Sequence, residues 1–141
     1  MVLVSSHGPS PTDHLTFDAL GEELRRAKLP FRTVTESDNA LAEALTNGAD
    51  TIVTLGDDVD EILSSIRGCG LSTPADVLLF AFSEGDREAR TDPPITTLSF
   101  LGRDSGRTLG RMIASGLADG RFQSCTLPFR FEQRTSTTRS T

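Results

Sequence analysis

The chain has 141 residues, 36% of them hydrophobic, and a formal net charge of -6, which is the size and apolar content of one ordinary domain that can bury a core without disulfide or metal staples. Its net negative charge repels a phosphate backbone, so counterion release does not favour nucleic acid and no direct DNA binding by this chain is expected. Cys69 and Cys125 are far apart with no C-x-x-C spacing, the opening Met1-Val2-Leu3-Val4-Ser5-Ser6 is too short and lacks the basic flank of a signal peptide, and no run approaches membrane-spanning length, so a reduced, cytoplasmic protein with no membrane contact is expected.

Val2-Leu3-Val4 reads as a short buried strand. The turn-rich His7-Gly8-Pro9-Ser10-Pro11-Thr12 follows, then Phe17, Leu20, Leu24 and Ala27 at helical spacing. Pro30 ends that helix and residues 31–35 form a second strand. Thr35-Glu36-Ser37-Asp38 offers capping side chains to a helix whose Ala40, Leu41, Ala44 and Leu45 share a face, and Asn47-Gly48 closes it. Residues 51–55 are a third strand; after Gly56-Asp57-Asp58, Val59, Ile62, Leu63 and Ile66 recur at i, i+3, i+4 and i+7. Gly68 and Gly70 stop that helix. The continuous apolar run 77–82 must be covered on both sides, as in a parallel sheet.

A polar loop over 83–94 leads to a strand at 95–98, and Leu109, Met112, Ile113 and Leu117 stripe a last helix. Residues 125–132 read as the final strand. Arg134-Thr135-Ser136-Thr137-Thr138-Arg139-Ser140-Thr141 is polar and low in complexity, a polar tail whose last few residues are expected to fray. The alternation predicts an α/β fold, a doubly wound, mostly parallel sheet with helices on both faces, in one lobe over 1–132 with a tail over 133–141.

Three stretches, in order and at matching separations, resemble the second half of LacI/GalR (lactose-repressor) transcription regulators. Gly70-Leu71-Ser72-Thr73-Pro74-Ala75-Asp76-Val77-Leu78-Leu79-Phe80-Ala81-Phe82 is similar to that family's Gly, Pro-x-Asp-Val and apolar strand ending in an aromatic. Pro93-Pro94-Ile95-Thr96-Thr97-Leu98 resembles its Pro-Pro-Leu-Thr-Thr segment, and Leu127-Pro128 with Arg134-Thr135-Ser136-Thr137 resembles its Leu-Pro and Arg-x-Ser-Thr signature. The likeness spans about residues 70 to 137; residues 1–69 match only in element order, and the family's DNA-binding headpiece and first lobe would precede Met1.

The resemblance implies the C-terminal lobe of a periplasmic-binding-protein-like effector domain, with a ligand cleft at the C-terminal ends of the strands. It places His14, Gly56 and Ser83 where sugar-binding members carry an Arg, an Asn and an Asp. Losing a bidentate Arg and a carboxylate leaves sugar hydroxyls unpaired at roughly 1 to 3 kcal/mol each, which argues against a typical sugar effector. The expected cleft contacts are His14, Asp57 and Ser83, with Ser6, Gly56 and Phe82 beside them; for Asp57 a helix-dipole contribution of about 0.3 to 1 kcal/mol is also a sufficient reason to be there.

Other constellations point to less. Asp57, Asp58, Asp60 and Glu61 could bind Mg²⁺ or accept a phosphoryl group, but an acidic helix start explains them, and the partner groups of a receiver domain are missing. His7, His14 and Asp13 could ligate a metal, or be ordinary polar loop residues. Neither G-x-S-x-G nor G-x-x-x-x-G-K-[ST] occurs, so no enzyme activity, metal or cofactor is expected. Trp and Tyr are absent, leaving eight Phe for any stacking.

The stripe Leu109, Met112, Ile113 and Leu117 either covers the chain's own sheet or forms a lobe or homodimer interface. The expected function is a small-molecule sensing and dimerisation lobe of a transcription regulator. The alternative is a stand-alone α/β interaction or scaffold module with a degenerate effector site.

Overall fold

The structure is a computed structural model that describes residues 1–5, 11–35, 38–55, 59–83 and 86–139. Its strands are β1 (Val2–Ser5), β2 (Arg32–Thr35), β3 (Thr51–Leu55), β4 (Leu78–Phe82), β5 (Thr96–Ser99) and β6 (Arg130–Glu132), and its helices are α1 (Pro11–Arg26), α2 (Asp38–Thr46), α3 (Val59–Gly68) and α4 (Gly102–Asp119). The strands form one sheet in the order β2-β1-β3-β4-β5-β6. All neighbours pair in parallel except β5 and β6, which are antiparallel. The expected doubly wound, mostly parallel sheet is therefore the observed one.

The sheet alternates its side chains between two apolar layers, as the pleat requires. Val2, Val4, Ile52, Leu79 and Ala81 meet Leu41, Ala44 and Leu45 of α2 and Val59, Ile62, Leu63 and Ile66 of α3. On the opposite face Leu3, Val53 and Leu55 meet Phe17 and Leu24 of α1, with Phe31, Phe80 and Phe82 partly buried against them. With β2 to one side of β1 and β3 to the other, right-handed crossovers send α1 to one face and α2 and α3 to the other.

Local signals set the element ends. Gly48, at φ +86, terminates α2 as Asn47-Gly48 predicted: its N–H and that of Ala49 reach back to the carbonyls of Leu45 and Ala44 at 3.0 and 3.1 Å. α1 starts at Pro11, inside the stretch read as turn-rich, because proline at a first helical position lacks an N–H that the helix start leaves unused.

Three expectations are corrected. The run 77–82 is covered fully on one side and partly on the other: Val77, Leu79 and Ala81 are buried, whereas Phe80 and Phe82 are half-buried against the α1 layer, because α1 packs over β1 and β3 and leaves the outer face of β4 partly open. The final strand is Arg130–Glu132 alone, and residues 121–129 are exposed and have no ladder partner among the described residues.

The polar C-terminal stretch is not a frayed tail as far as it is described. Ser136 is fully buried; its hydroxyl donates to the Leu79 carbonyl at 2.6 Å and accepts from the Thr96 N–H at 2.8 Å. Arg134 donates to the Ile95 carbonyl and the Thr97 hydroxyl at 2.7 and 2.8 Å and pairs with Glu132. Thr96 and Thr137 share a 2.7 Å hydroxyl contact. Composition suggested disorder, but short hydroxyl side chains satisfy buried backbone groups at the start of β5, where an unmade bond is costly.

Candidate functional site

In an open α/β sheet the ligand edge lies beyond the C-terminal strand ends, at the point where the strand order reverses. Here that point is between β1 and β3. Register aligns the edge: Ser5 pairs with Leu55, Leu55 with Phe82, and Phe82 with Leu98. The C-terminal ends of β1, β3, β4 and β5 therefore lie along one edge of the sheet.

Of the expected cleft residues, Ser6, Gly56 and Asp57 lie outside the described residues, as do His7 and Asp58 of the other constellations. His14 is exposed in the first turn of α1. Phe82 ends β4, and Ser83, directly after it, is half-buried with its N–H donating to the Leu98 carbonyl at 3.2 Å. Of the acidic cluster, Asp60 pairs with Arg87 at 2.6 Å on the surface, and no group of three or more His, Cys, Asp or Glu converges on a metal position among the described residues.

Among the described residues this edge carries one apolar cleft and, after β4 and β5, a second hollow lined by Asp86, Leu101, Gly102, Arg103, Asp104 and Arg130. Leu15, Thr16 and Ala19 of α1, Phe82, Leu98, Phe100 and Phe129 line an open cleft of about 400 Å³. The Phe82 and Phe100 rings lie 6.2 Å apart, and Phe100 and Phe129 lie 4.9 Å apart, tilted by 59°. Sequence reading found Phe82 but missed Phe100 and Phe129, because neither shares a periodic stripe. The available signal was an aromatic just after the strand at 95–98 and the alternation of Phe129 with Phe131, which faces Leu98 in register.

A second open face belongs to α4. Leu101, its N-cap residue, sits in the left-handed region at φ +51 and ψ +52, its N–H held by the Ser99 hydroxyl at 3.0 Å. α4 contributes no side chain to either core layer; Gly116 is its one buried residue. Leu109, Ile113 and Leu117 are 56%, 45% and 74% exposed, and Met112 is half-buried with its sulfur accepting from Cys125 at 3.2 Å. Phe122 lies over Gly116, where a Cβ would meet its ring at 2.4 Å, so glycine is what lets the segment after α4 fold back along it. The 600 Å³ hollow there, lined by Arg111, Met112, Ser115, Asp119, Arg121 and Gln123, is larger than the strand-edge cleft, but it belongs to this uncovered face and lies on no strand end.

The three family-like stretches prove to be structural. Asp76 accepts from the Ser72 N–H and hydroxyl at 2.9 and 2.8 Å, closing the turn before β4, and these bonds hold its carboxyl below the ordinary value. Thr96 and Thr97 of the second stretch bond to Arg134, Ser136 and Thr137 of the third.

Comparison with known proteins agrees with this geometry. The sequence pattern of the family described as periplasmic binding protein-like domain matches residues 1–137. The chain superposes on a LacI family transcriptional regulator from Bifidobacterium animalis subsp. lactis with a TM-score of 0.81 at 19% identity, covering 99% of this chain and 55% of that one. A PurR family regulator from Vibrio parahaemolyticus gives 0.81 at 15%, covering 99% and 56%, and a ribose-bound LacI family regulator from Enterococcus faecium gives 0.77 at 22%, covering 96% and 55%. The chain thus spans about half the length of the solved regulators it matches. No curated protein matches the sequence at a significant level. The fold matches about half of each of these LacI- and PurR-family regulators, and the chain belongs to the periplasmic binding protein-like domain family.

Proposed function

We propose that this chain is the C-terminal, effector-sensing lobe of a LacI-type transcription regulator, spanning residues 1–132 and locked by the clasp that follows. The family match over residues 1–137, with a cleft at the aligned strand ends, carries the reading. The lobe acts without chemistry: an effector at the strand edge biases the orientation of two lobes, and so of a DNA-binding headpiece outside these 141 residues. It works in the cytoplasm, and among the described residues no helix is long and apolar enough to cross a membrane.

In this reading His14, Asp57 and Ser83 contact the effector, with Ser6, Gly56 and Phe82 beside them. α4 with Leu109, Met112, Ile113 and Leu117 supplies the lobe or homodimer interface; the exposure of three of these side chains supports an unfilled partner surface. One of the similar solved proteins is a dimeric lac repressor. The test of sensing is a thermal-shift screen against sugars, nucleosides and small acids. A ligand at 100 times its dissociation constant stabilises the fold by about 2.7 kcal/mol, and an Asp57→Ala variant is expected to lose part of that shift. Silence across the panel would remove the sensing role.

The second reading is a stand-alone interaction or scaffold module with a degenerate effector site. The open α4 face favours it together with His14, Gly56 and Ser83, which stand where the resemblance calls for an Arg, an Asn and an Asp. Light scattering separates the roles of α4: a homodimer that Ile113→Glu converts to monomer assigns the face to self-association, and a monodisperse monomer at high concentration rules that out.

A further inference from the structure

We infer that the strand-edge cleft selects a small aromatic molecule, of one ring or two fused rings, rather than a polyhydroxylated sugar. The inference rests on the reading of this edge as an effector site. Among the described residues its walls are Phe82, Phe100, Phe129, Leu98, Leu15 and Ala19, with the Thr16 hydroxyl as the one polar side chain. No charged side chain lines it among the described residues. A sugar carries hydroxyls around its ring, and each that faces these described apolar walls would leave water without a new partner, which weakens binding.

An aromatic ring meets the opposite situation. Phe100 stands between Phe82, at 6.2 Å, and Phe129, at 4.9 Å, in tilted contacts that leave Phe100 44% and Phe129 58% exposed. Aromatic rings prefer offset or edge-to-face neighbours with centroids about 4.5 to 7 Å apart, so a further ring extends this cluster without rearranging it. The cleft volume of about 400 Å³ falls in the lower part of the range of small-molecule sites, roughly 300 to 1,000 Å³. A polar substituent on the ring stays toward the rim, where exposed His14 precedes Leu15 and half-buried Ser83 follows Phe82.

The absence of Trp and Tyr makes the test direct, because the fluorescence of salicylate or indole is read against a dark protein. Each is titrated into the full chain, with ribose, lactose and octanoate followed by thermal shift. Saturable binding of salicylate or indole is expected, weakened at least tenfold by Phe100→Ala and, as an independent variant, by Phe129→Ala. It should be unchanged by Leu29→Ser, which removes an exposed apolar side chain ahead of β2. Binding of ribose or lactose without either aromatic overturns the ligand class while leaving the effector site standing, and binding of octanoate alone does the same. No binding by any of the five probes overturns both the ligand class and the sensing role, and aromatic binding that neither phenylalanine variant weakens overturns the assignment to this cleft.

Discussion

Helices α3 and α4 carry equally regular apolar stripes and meet opposite fates. Val59, Ile62, Leu63 and Ile66 of α3 are 0%, 1%, 4% and 1% exposed, whereas Leu109, Ile113 and Leu117 of α4 are 56%, 45% and 74% exposed. The stripe records that a face is meant to be covered; it does not say by what. α3 lies between two adjacent parallel strands whose crossover returns it to the sheet. α4 follows the left-handed Leu101 and leads to a strand that pairs antiparallel, so nothing obliges it to return to the sheet.

The sharpest way to break the comparison is to truncate each stripe in turn. Ile62→Ala is expected to cost about 2 to 5 kcal/mol, since a cavity opens in a closed layer. Chemical denaturation should show the midpoint falling with an unchanged slope. A loss below 1 kcal/mol would mean that the α3 layer is not the core. Ser136→Ala comes next, at about 1 to 3 kcal/mol, because the Thr96 N–H and the Leu79 carbonyl lose their buried partner. A near-zero effect in the same denaturation would restore the frayed-tail reading.

Asp76 supplies a smaller, acid-limited effect. Its folded carboxyl is held below the ordinary value of 3.8, first by the Ser72 hydroxyl and then by the Ser72 N–H. The stability from this depressed group is therefore complete above pH 3.8 and is lost as the pH falls through the lower folded value. Asp76→Asn should flatten the acid limb of a stability-versus-pH curve, and an unaltered limb would show that the turn bonds do not matter. The smallest effect belongs to α4: Leu117→Ala should change the unfolding free energy of the isolated chain by no more than about 0.5 kcal/mol, as a surface substitution does. A loss as large as that of Ile62→Ala would show that the stripe is already covered.

Much of the candidate site was legible as a place rather than as chemistry. The strand runs located the edge, because the central strands are apolar stretches whose ends are marked by turns, and the family resemblance placed Ser83 there with Phe82 beside it. Phe100 and Phe129 were not, since they come together only through the β5–β6 register and the turn at Leu101. The Arg134 to Thr137 stretch was legible as a resemblance and misread as a tail, because composition counts hydroxyls without knowing which backbone groups lack partners.

The sequence by itself determined the alternation of strands and helices, the doubly wound topology and the composition of both core layers, all of which follow from periods of 2 and 3.6 residues and from right-handed connections. Only the tertiary structure decided that α4 stands away from the sheet, that the polar terminus is a clasp and that the strand-edge cleft is aromatic. Those outcomes depend on contacts between residues far apart in the chain, as between Thr96 and Ser136 or Phe100 and Phe129, and no local pattern encodes a long-range partner.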